Sequence, residues 1–461
     1  MKNKLQSKTL NKTTRQNLIT YAIVAACFVF CMIYNGLPGG SSLIKGLFVP
    51  ICAYVIMAVS LNLTVGILGE LSLGHAGFMC LGAFVGSTFS ILTQESLTSV
   101  WVRFPLAILI GGLVAAVAGV LIGVISAMLV FFGNPANMGF CIACFLRDTT
   151  GALGLHSAAA VQYIRPEIIG LVLGACIVSL ITKEFRPRGG SAPVTRFTLG
   201  AFVMIGCLMF LGCPFRMILR LAGGDGNAIF GLVGFAAGIL TGTFFLKKGY
   251  TLKRSYKMPK LEGAVYPAFQ IVVLILLVAA PAFIHFTEPE GGPGAKHAAI
   301  LISLAAGVIV GILAQRTRLC MVGGIRDAVL FGEYKLLFGF VAILVSALIM
   351  NVALGFFHPG FVGQPIAHTD GLWNALGMYL AGFGCILLGG CPMRQLILSG
   401  EGNTDSVVTV LGLMAGAAFA HNFGLASSAD GPTANGKIAV VIGIVVVAAI
   451  AVINSMRKEE A

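Results

Sequence analysis

The sequence predicts an all-α polytopic membrane protein: two inverted five-helix repeats with re-entrant half-helices, preceded by an extra N-terminal transmembrane segment. Three observations predict it. Of 461 residues, 57% are hydrophobic and only 10% charged, whereas a soluble domain carries about a quarter of its residues charged. A pair of motifs occurs twice in the same order, which marks a duplicated half. Each half contains five long apolar runs, an odd number, so the second half enters the membrane from the opposite side, as in many transporters.

The duplicated motifs are specific. Residues 207–216 read Cys-Leu-Met-Phe-Leu-Gly-Cys-Pro-Phe-Arg, and residues 385–394 read Cys-Ile-Leu-Leu-Gly-Gly-Cys-Pro-Met-Arg. Cys207, Cys213, Pro214 and Arg216 therefore match Cys385, Cys391, Pro392 and Arg394 at an offset of 178. Upstream, Cys141-Ile-Ala-Cys144-Phe-Leu-Arg147-Asp148 matches Cys320-Met-Val-Gly-Gly-Ile-Arg326-Asp327 at an offset of 179.

Taken in order, the chain opens with a basic leader, Lys2, Lys4, Lys8, Lys12 and Arg15. Apolar runs follow at about 18–36, 47–68, 73–93 and 105–132, each long enough to span a bilayer. The first is too long, and lacks the small-residue cleavage site, for a signal peptide. From 107 onward, ten runs fall near 107–132, 165–182, 196–212, 226–246 and 265–284, then 298–314, 335–356, 372–390, 405–423 and 437–455. The division expected is 1–106, 107–284 for the first half and 285–461 for the second.

Loop charges give the orientation. Residues 183–196 carry Lys183, Arg186, Arg188 and Arg196, and residues 247–260 carry Lys247, Lys248, Lys253, Arg254, Lys257 and Lys260. Both belong in the cytoplasm by the positive-inside rule. The loop 357–371 has neither Lys nor Arg and belongs outside. The Cys213 motif then faces out, and the Cys391 motif and the C-terminus face in. The basic leader also favours the cytoplasm, which conflicts with three crossings before residue 94; one early run is then re-entrant or interfacial. The net charge of +13 sits in these loops, toward anionic lipid, and no separate basic domain suggests nucleic acid.

Four shorter runs interrupt the long ones: Asn134 to Ala152, Pro214 to Ala222, Leu319 to Phe331, and Pro392 to Ser399. They contain Arg, Asp and Pro, and irregular backbone at membrane depth is tolerated only inside protein or beside water. Each reads as a re-entrant half-helix. Pro214 and Pro392 suit a first helical turn, which puts Cys213 and Cys391 at helix N-termini, where the free N–H groups and the dipole favour an anion. Arg216 and Arg394 lie one turn further in. Asn227 and Asn403 close the turns into the next long helices.

Each choice has a plainer alternative. A buried cysteine is usually a small hydrophobe, and Cys27, Cys31, Cys52, Cys80 and Cys176 are read that way. Cys207 and Cys385 are balanced between packing and lining. The duplicated context makes Cys213, Cys391, Cys141, Cys320 and Cys144 substrate-path candidates, with Arg216, Arg394, Arg147 and Arg326. Pro214, Pro392, Asp148, Asp327, Asn227 and Asn403 are structural or gating candidates. The Arg147-Asp148 and Arg326-Asp327 pairs read equally well as structural ion pairs or as functional groups at membrane depth. The twelve cysteines lack zinc-type spacing, no histidine recurs at the repeat offset, and no metal or cofactor is expected.

Two resemblances add to this. Residues 49–66 leading into Gly69-Glu70-Leu71-Ser72-Leu73-Gly74-His75-Ala76-Gly77-Phe78 resemble the start of LivM-type branched-chain amino-acid ABC permeases. No coupling loop follows, so a permease fragment joined to another protein is expected, with the seam near Gly119–Val130. Over about 120–456, the run Phe132-Gly-Asn-Pro-Ala-Asn-Met-Gly-Phe-Cys141 to Asp148, then Gln162-Tyr-Ile-Arg-Pro-Glu167, then the two Gly-Cys-Pro-x-Arg motifs, resembles the YeeE/YedE family of sulfur-compound transporters. The nearest likeness is to its YedE-like branch, associated with selenium metabolism. That resemblance implies an hourglass carrier in a bacterial inner membrane, with Cys213, Cys320 and Cys391 at the constriction, Cys141 as partner of Cys320, and a thiosulfate-like ion as cargo. It also implies a soluble TusA-like sulfurtransferase as companion. A branched-chain amino-acid permease, a membrane sulfurtransferase working through persulfides, and a non-transporting scaffold remain as alternatives.

Overall fold

A computed structural model describes residues 117–456 apart from residue 253. The expectations for residues 1–116, including the permease-like segment and its topology, lie outside the described residues. The first helix, α1 (Val117–Phe131), is a shorter apolar one. There follow α2 (Ile142–Ala152), α3 (Pro166–Ile181), α4 (Pro193–Phe210), α5 (Pro214–Ala222), α6 (Asn227–Lys247) and α7 (Lys260–Ala279). The second set is α8 (Ile300–Thr317), α9 (Met321–Phe331), α10 (Lys335–Ala353), α11 (Gly371–Leu387), α12 (Pro392–Gly400), α13 (Thr404–Asn422) and α14 (Ala434–Met456). Seven helices thus answer to seven, five longer and two short in each set. Among the described residues, nine stretches are long and apolar enough to cross a membrane, and the protein is a multi-pass membrane protein.

The halves interlock reciprocally. Helix α3 packs on α8 as α10 packs on α1; α4 packs on α13 as α6 packs on α11; and α4 meets its own counterpart α11 at the centre. Such exchange of partners is what a two-fold relation between repeats produces. Glycines make these crossings close, as small residues do between helices in lipid. A methyl group on Gly238 of α6 would sit 2.2 Å from the Tyr379 carbonyl on α11, and one on Gly174 of α3 would sit 2.3 Å from the Val308 carbonyl on α8.

The connections sort onto two sides. On one, strands β1 (Arg188–Gly189) and β2 (Tyr256–Lys257) pair antiparallel, the Arg186 amide donates to the Glu401 carbonyl at 3.0 Å, and Arg318 after α8 reaches Glu184 and Glu401. On the other, the His285 and Thr287 amides donate to the Ala152 and Gln162 carbonyls, and the His358 amide donates to the Gly223 carbonyl. Asn134 after α1 accepts from the Ala298 amide just before α8. Helix α1 therefore ends where α8 begins. Helix α3 runs toward the first side and α10 away from it, so the second repeat is inverted. The basic loops 183–196 and 247–260 share the first side.

Helix α5 has its expected limits, and the other three short helices differ slightly from theirs. Residues 134–141 form an irregular turn before α2, held by the Asn134 side-chain amide, which donates to the Gly139 carbonyl at 3.0 Å. Helix α9 starts at Met321 rather than Leu319. Pro214 and Pro392 are the first residues of α5 and α12. Because proline disfavours the helical region for the residue before it, Cys213 (φ −80°, ψ 170°) and Cys391 (φ −70°, ψ 167°) are extended. Each breaks the chain sharply between a long helix and a half-helix.

Candidate thiol site between the half-helices

Four half-helices carry the duplicated cysteines at their tips. Cys141 and Cys320 cap α2 and α9, their sulfurs accepting from the backbone N–H of Cys144 at 3.4 Å and Gly323 at 3.5 Å. Cys213 and Cys391 precede α5 and α12. The tips meet in pairs within each repeat. The Cys141 and Cys213 sulfurs are 4.0 Å apart, and the Cys320 sulfur meets both the side chain and the backbone N–H of Cys391. Backbone N–H groups of Ala143 and Arg216, from two helix N-termini, are directed at the Cys213 sulfur. Such convergence of free N–H groups favours an anionic or polarisable partner. The pairing is the same in both repeats: Cys320 lies against Cys391 as its repeat counterpart Cys141 lies against Cys213.

The two thiol pairs are connected. Cys207 of α4 and Cys385 of α11, both fully buried, lie within electrostatic reach of each other. Cys207 is in reach of Cys141 and Cys144, and Cys385 of Cys320 and Cys391. Seven sulfurs thus form a succession across the core: Cys213, Cys141, Cys144, Cys207, Cys385, Cys320, Cys391. The spacing of Cys207 and Cys385 within long helices left them ambiguous, because only the crossing of α4 with α11 shows that the two approach one another. Cys176 on α3 is half-buried and outside this row.

The arginines fall into unlike settings. Arg216, fully buried, donates through Nε to the Asn137 carbonyl at 3.1 Å, and through its terminal nitrogens to the Leu211, Pro365 and Ile366 carbonyls and, at 3.7 Å, to the Cys144 sulfur. Among the described residues none of its partners is a carboxylate. Leu211 adopts a left-handed conformation (φ 60°) where the second repeat has Gly389 (φ 79°), so the Arg216 hydrogen bond holds a strained residue in place. Arg394, the counterpart, is neutralised by Glu401 at 3.4 Å, and Glu401 also binds Arg318 at 3.0 Å. Glu184 joins Arg318 at 3.0 Å and Arg316 at 3.6 Å.

Arg147 and Asp148 form a buried ion pair at 2.7 Å, and Arg165 holds the second carboxylate oxygen at 2.8 Å. Arg165 also donates to the Lys296 and Pro293 carbonyls. Arg326 and Asp327 repeat the pair at 2.8 Å but are part-exposed, at 20% and 19%. Asn227 donates to Asp225 and to the Phe361 carbonyl, and Asn403 caps α13 through the Ser406 amide; both fix turns. Sequence reading missed Arg165, Glu167, Arg318, Glu184 and Glu401 as partners. Arg165 and Glu167 stood inside the quoted Gln162–Glu167 run, but nothing in linear order joined them to Asp148 or to the α3–α8 contact.

Fold and site together define a multi-pass α-helical membrane protein of inverted repeats with a thiol row at its core. Residues 316–459 match the family model described as sulphur transport. Residues 43–135 match that of the branched-chain amino acid transport system permease component. The thiosulfate transporter TsuA of Escherichia coli is 28% identical over 116 residues, 25% of this chain and 32% of that protein. The branched-chain amino acid permease protein LivM of Salmonella typhimurium is 41% identical over 70 residues, and that of Escherichia coli 40%, in each case 15% of either chain. The aligned stretches thus span a third or less of these relatives. Both resemblances drawn from the motifs hold: the second repeat carries the sulphur transport pattern, and a LivM-like stretch precedes the described residues and runs into α1. The first repeat is tied to the second by the duplicated motifs and by the interlocked helices.

Proposed function

We propose that this protein is a membrane transporter that imports a small sulfur- or selenium-containing species, a thiosulfate-like anion, through a constriction lined by cysteines. The observation that carries the reading is the succession of seven buried thiols joining two half-helix junctions. Thiols are weak donors and acceptors, so a soft chalcogen anion is held at each station loosely enough to leave, the condition for conduction. Arg216 supplies a positive field behind the Cys141–Cys213 pair without blocking it. The sulphur transport match over the second repeat and the likeness to a thiosulfate transporter support this cargo class. The basic loops support a cytoplasmic position for the Arg188–Tyr256 side; the proposed setting is a bacterial inner membrane with the C-terminus also cytoplasmic and a soluble TusA-like sulfurtransferase as recipient. Residues 1–106 are proposed as a separate permease-derived part, with the repeats at 107–284 and 285–461.

The test is uptake of labelled thiosulfate, selenite and leucine into proteoliposomes, with Cys213→Ala and Cys391→Ala beside the wild type. Cys391→Ala is expected to abolish thiosulfate uptake while the protein remains in the membrane. Retained uptake in that variant overturns the role of the thiol row, and leucine flux points to the permease reading. The close Cys141–Cys213 contact also suits persulfide transfer between thiols. A persulfide trapped on Cys141 or Cys391 by mass spectrometry would favour that second reading.

A further inference from the structure

The thiol row makes no use of Glu167, the second residue of α3. Its side chain is fully buried and unevenly satisfied. Oε1 accepts from the Asn134 amide at 2.8 Å and from the Ser303 hydroxyl at 3.0 Å, while Oε2 has no hydrogen-bond partner among the described residues. As a carboxylate it leaves a bare charged oxygen; as an acid its hydroxyl lacks an acceptor. Burying either costs free energy. Asp148 shows the contrast, with both oxygens held by arginines.

The charges around it suggest what the alternation does. Tyr163 before α3 and His297 from the α7–α8 connection interact electrostatically with Glu167, Ser303 of α8 bonds it, and Arg165, two residues before it, binds Asp148 of α2, which also pairs with Arg147. Arg147 and Arg165 both stand against the single carboxylate of Asp148, and Glu167 lies two residues along the chain from Arg165. The cluster is neutral when Glu167 is ionised and carries one positive charge when it is protonated. That charge lies beside α2, the half-helix bearing Cys141 and Cys144. An anion at those thiols and a proton on Glu167 therefore stabilise each other, and such coupling is reciprocal. Toward the surface, exposed His297 stacks on Tyr163 with ring centroids 4.1 Å apart, and both interact electrostatically with Glu167.

We propose that Glu167 is a proton-binding site whose proton enters together with the anion, making transport proton-coupled; this rests on the transport reading above. The full chain in proteoliposomes tests it with two assays, thiosulfate counterflow without a pH gradient and thiosulfate uptake driven by an inward acid gradient, with a pH dye trapped inside. The wild type is expected to accumulate thiosulfate and acidify the lumen. Glu167→Gln is expected to retain counterflow and to lose both the gradient-driven accumulation and the acidification. Glu167→Asp should keep coupling with a shifted pH midpoint. Gradient-driven accumulation that survives intact in Glu167→Gln overturns the proposal. Absent counterflow in the wild type is instead a failure of the transport reading. In that case infrared titration of the protein in nanodiscs decides the proton site: a titrating carboxyl band missing from Glu167→Gln supports it, and an unchanged band overturns it.

Discussion

Replacing Arg216 with glutamine removes a buried positive charge that no carboxylate among the described residues balances. Among the described residues its hydrogen bonds go to carbonyls and a thiol, so its influence on a passing anion is through the field rather than by direct bonding. The Arg216 nitrogen lies 3.7 Å from the Cys144 sulfur, and a thiol–chalcogen contact resembling the 4.0 Å Cys141–Cys213 approach puts an anion about 7 Å from the guanidinium, worth about 2.4 kcal/mol at an effective dielectric constant of about 20. That predicts a rise in the KM for thiosulfate of roughly 50-fold in Arg216→Gln. Saturation kinetics in proteoliposomes measure it. The substitution also strips donors from several carbonyls, so thermal stability falls too, and the comparison needs Arg216→Lys, which keeps the charge and loses the fork. The lysine variant should hold most of the affinity. Wild-type KM in a folded Arg216→Gln protein would refute the electrostatic argument, and equal losses in the lysine and glutamine variants would make the guanidinium a structural strut.

Two further outcomes follow from the geometry. Mild oxidation should join Cys141 to Cys213, stop thiosulfate uptake and be reversed by dithiothreitol; uptake in Cys141→Ala that is equally sensitive to oxidant would place the effect elsewhere. The pH dependence of stability has a defined sign at His368, in the α10–α11 connection, where burial holds the imidazole below its usual value of 6.5 while its Nε2 bonds the Met209 carbonyl. Protonation is then favoured by the unfolded chain, so this contribution is complete above the unfolded value and is lost as pH falls through it. The melting temperature should drop between about pH 7.5 and about pH 5, less steeply in His368→Gln; a flat or rising profile would contradict it.

Much of this architecture was legible because repetition is a strong signal. The two Cys-Pro-x-Arg motifs fixed the half-helix starts at Pro214 and Pro392, since proline restricts both its own backbone and the residue before it. The odd number of runs gave the inversion. What stayed hidden depended on pairing between distant segments. Cys207 could not be separated from an ordinary packed cysteine until α4 crossed α11. Arg147-Asp148 looked like a self-contained pair until Arg165 closed on the same carboxylate. Arg394 looked equivalent to Arg216, yet residue 401 is glutamate while its counterpart, residue 223, is glycine, and that single difference decides which arginine is balanced.

The halves therefore share thiols but not charges, and this matters more to mechanism than their symmetry. Helix α2 is buried along its whole length, with the unbalanced Arg216 beside it. Helix α9 is buried only over its first turn, and the arginine at its junction is tied into a chain of ion pairs, Arg394–Glu401–Arg318–Glu184. Under the proposed function, an anion leaving the Arg216 field meets at Cys391 an arginine already occupied. To bind there it has to displace Glu401, which stays close and competes for the same nitrogens. Entry is then favoured at the first thiol pair and retention is weak at the second. A symmetric pair of unbalanced arginines would hold the anion equally at both ends and slow its release. Two inverted halves that share three thiol stations can in this way hold the anion unequally at their two ends, because the difference lies chiefly in the neighbours of two arginines.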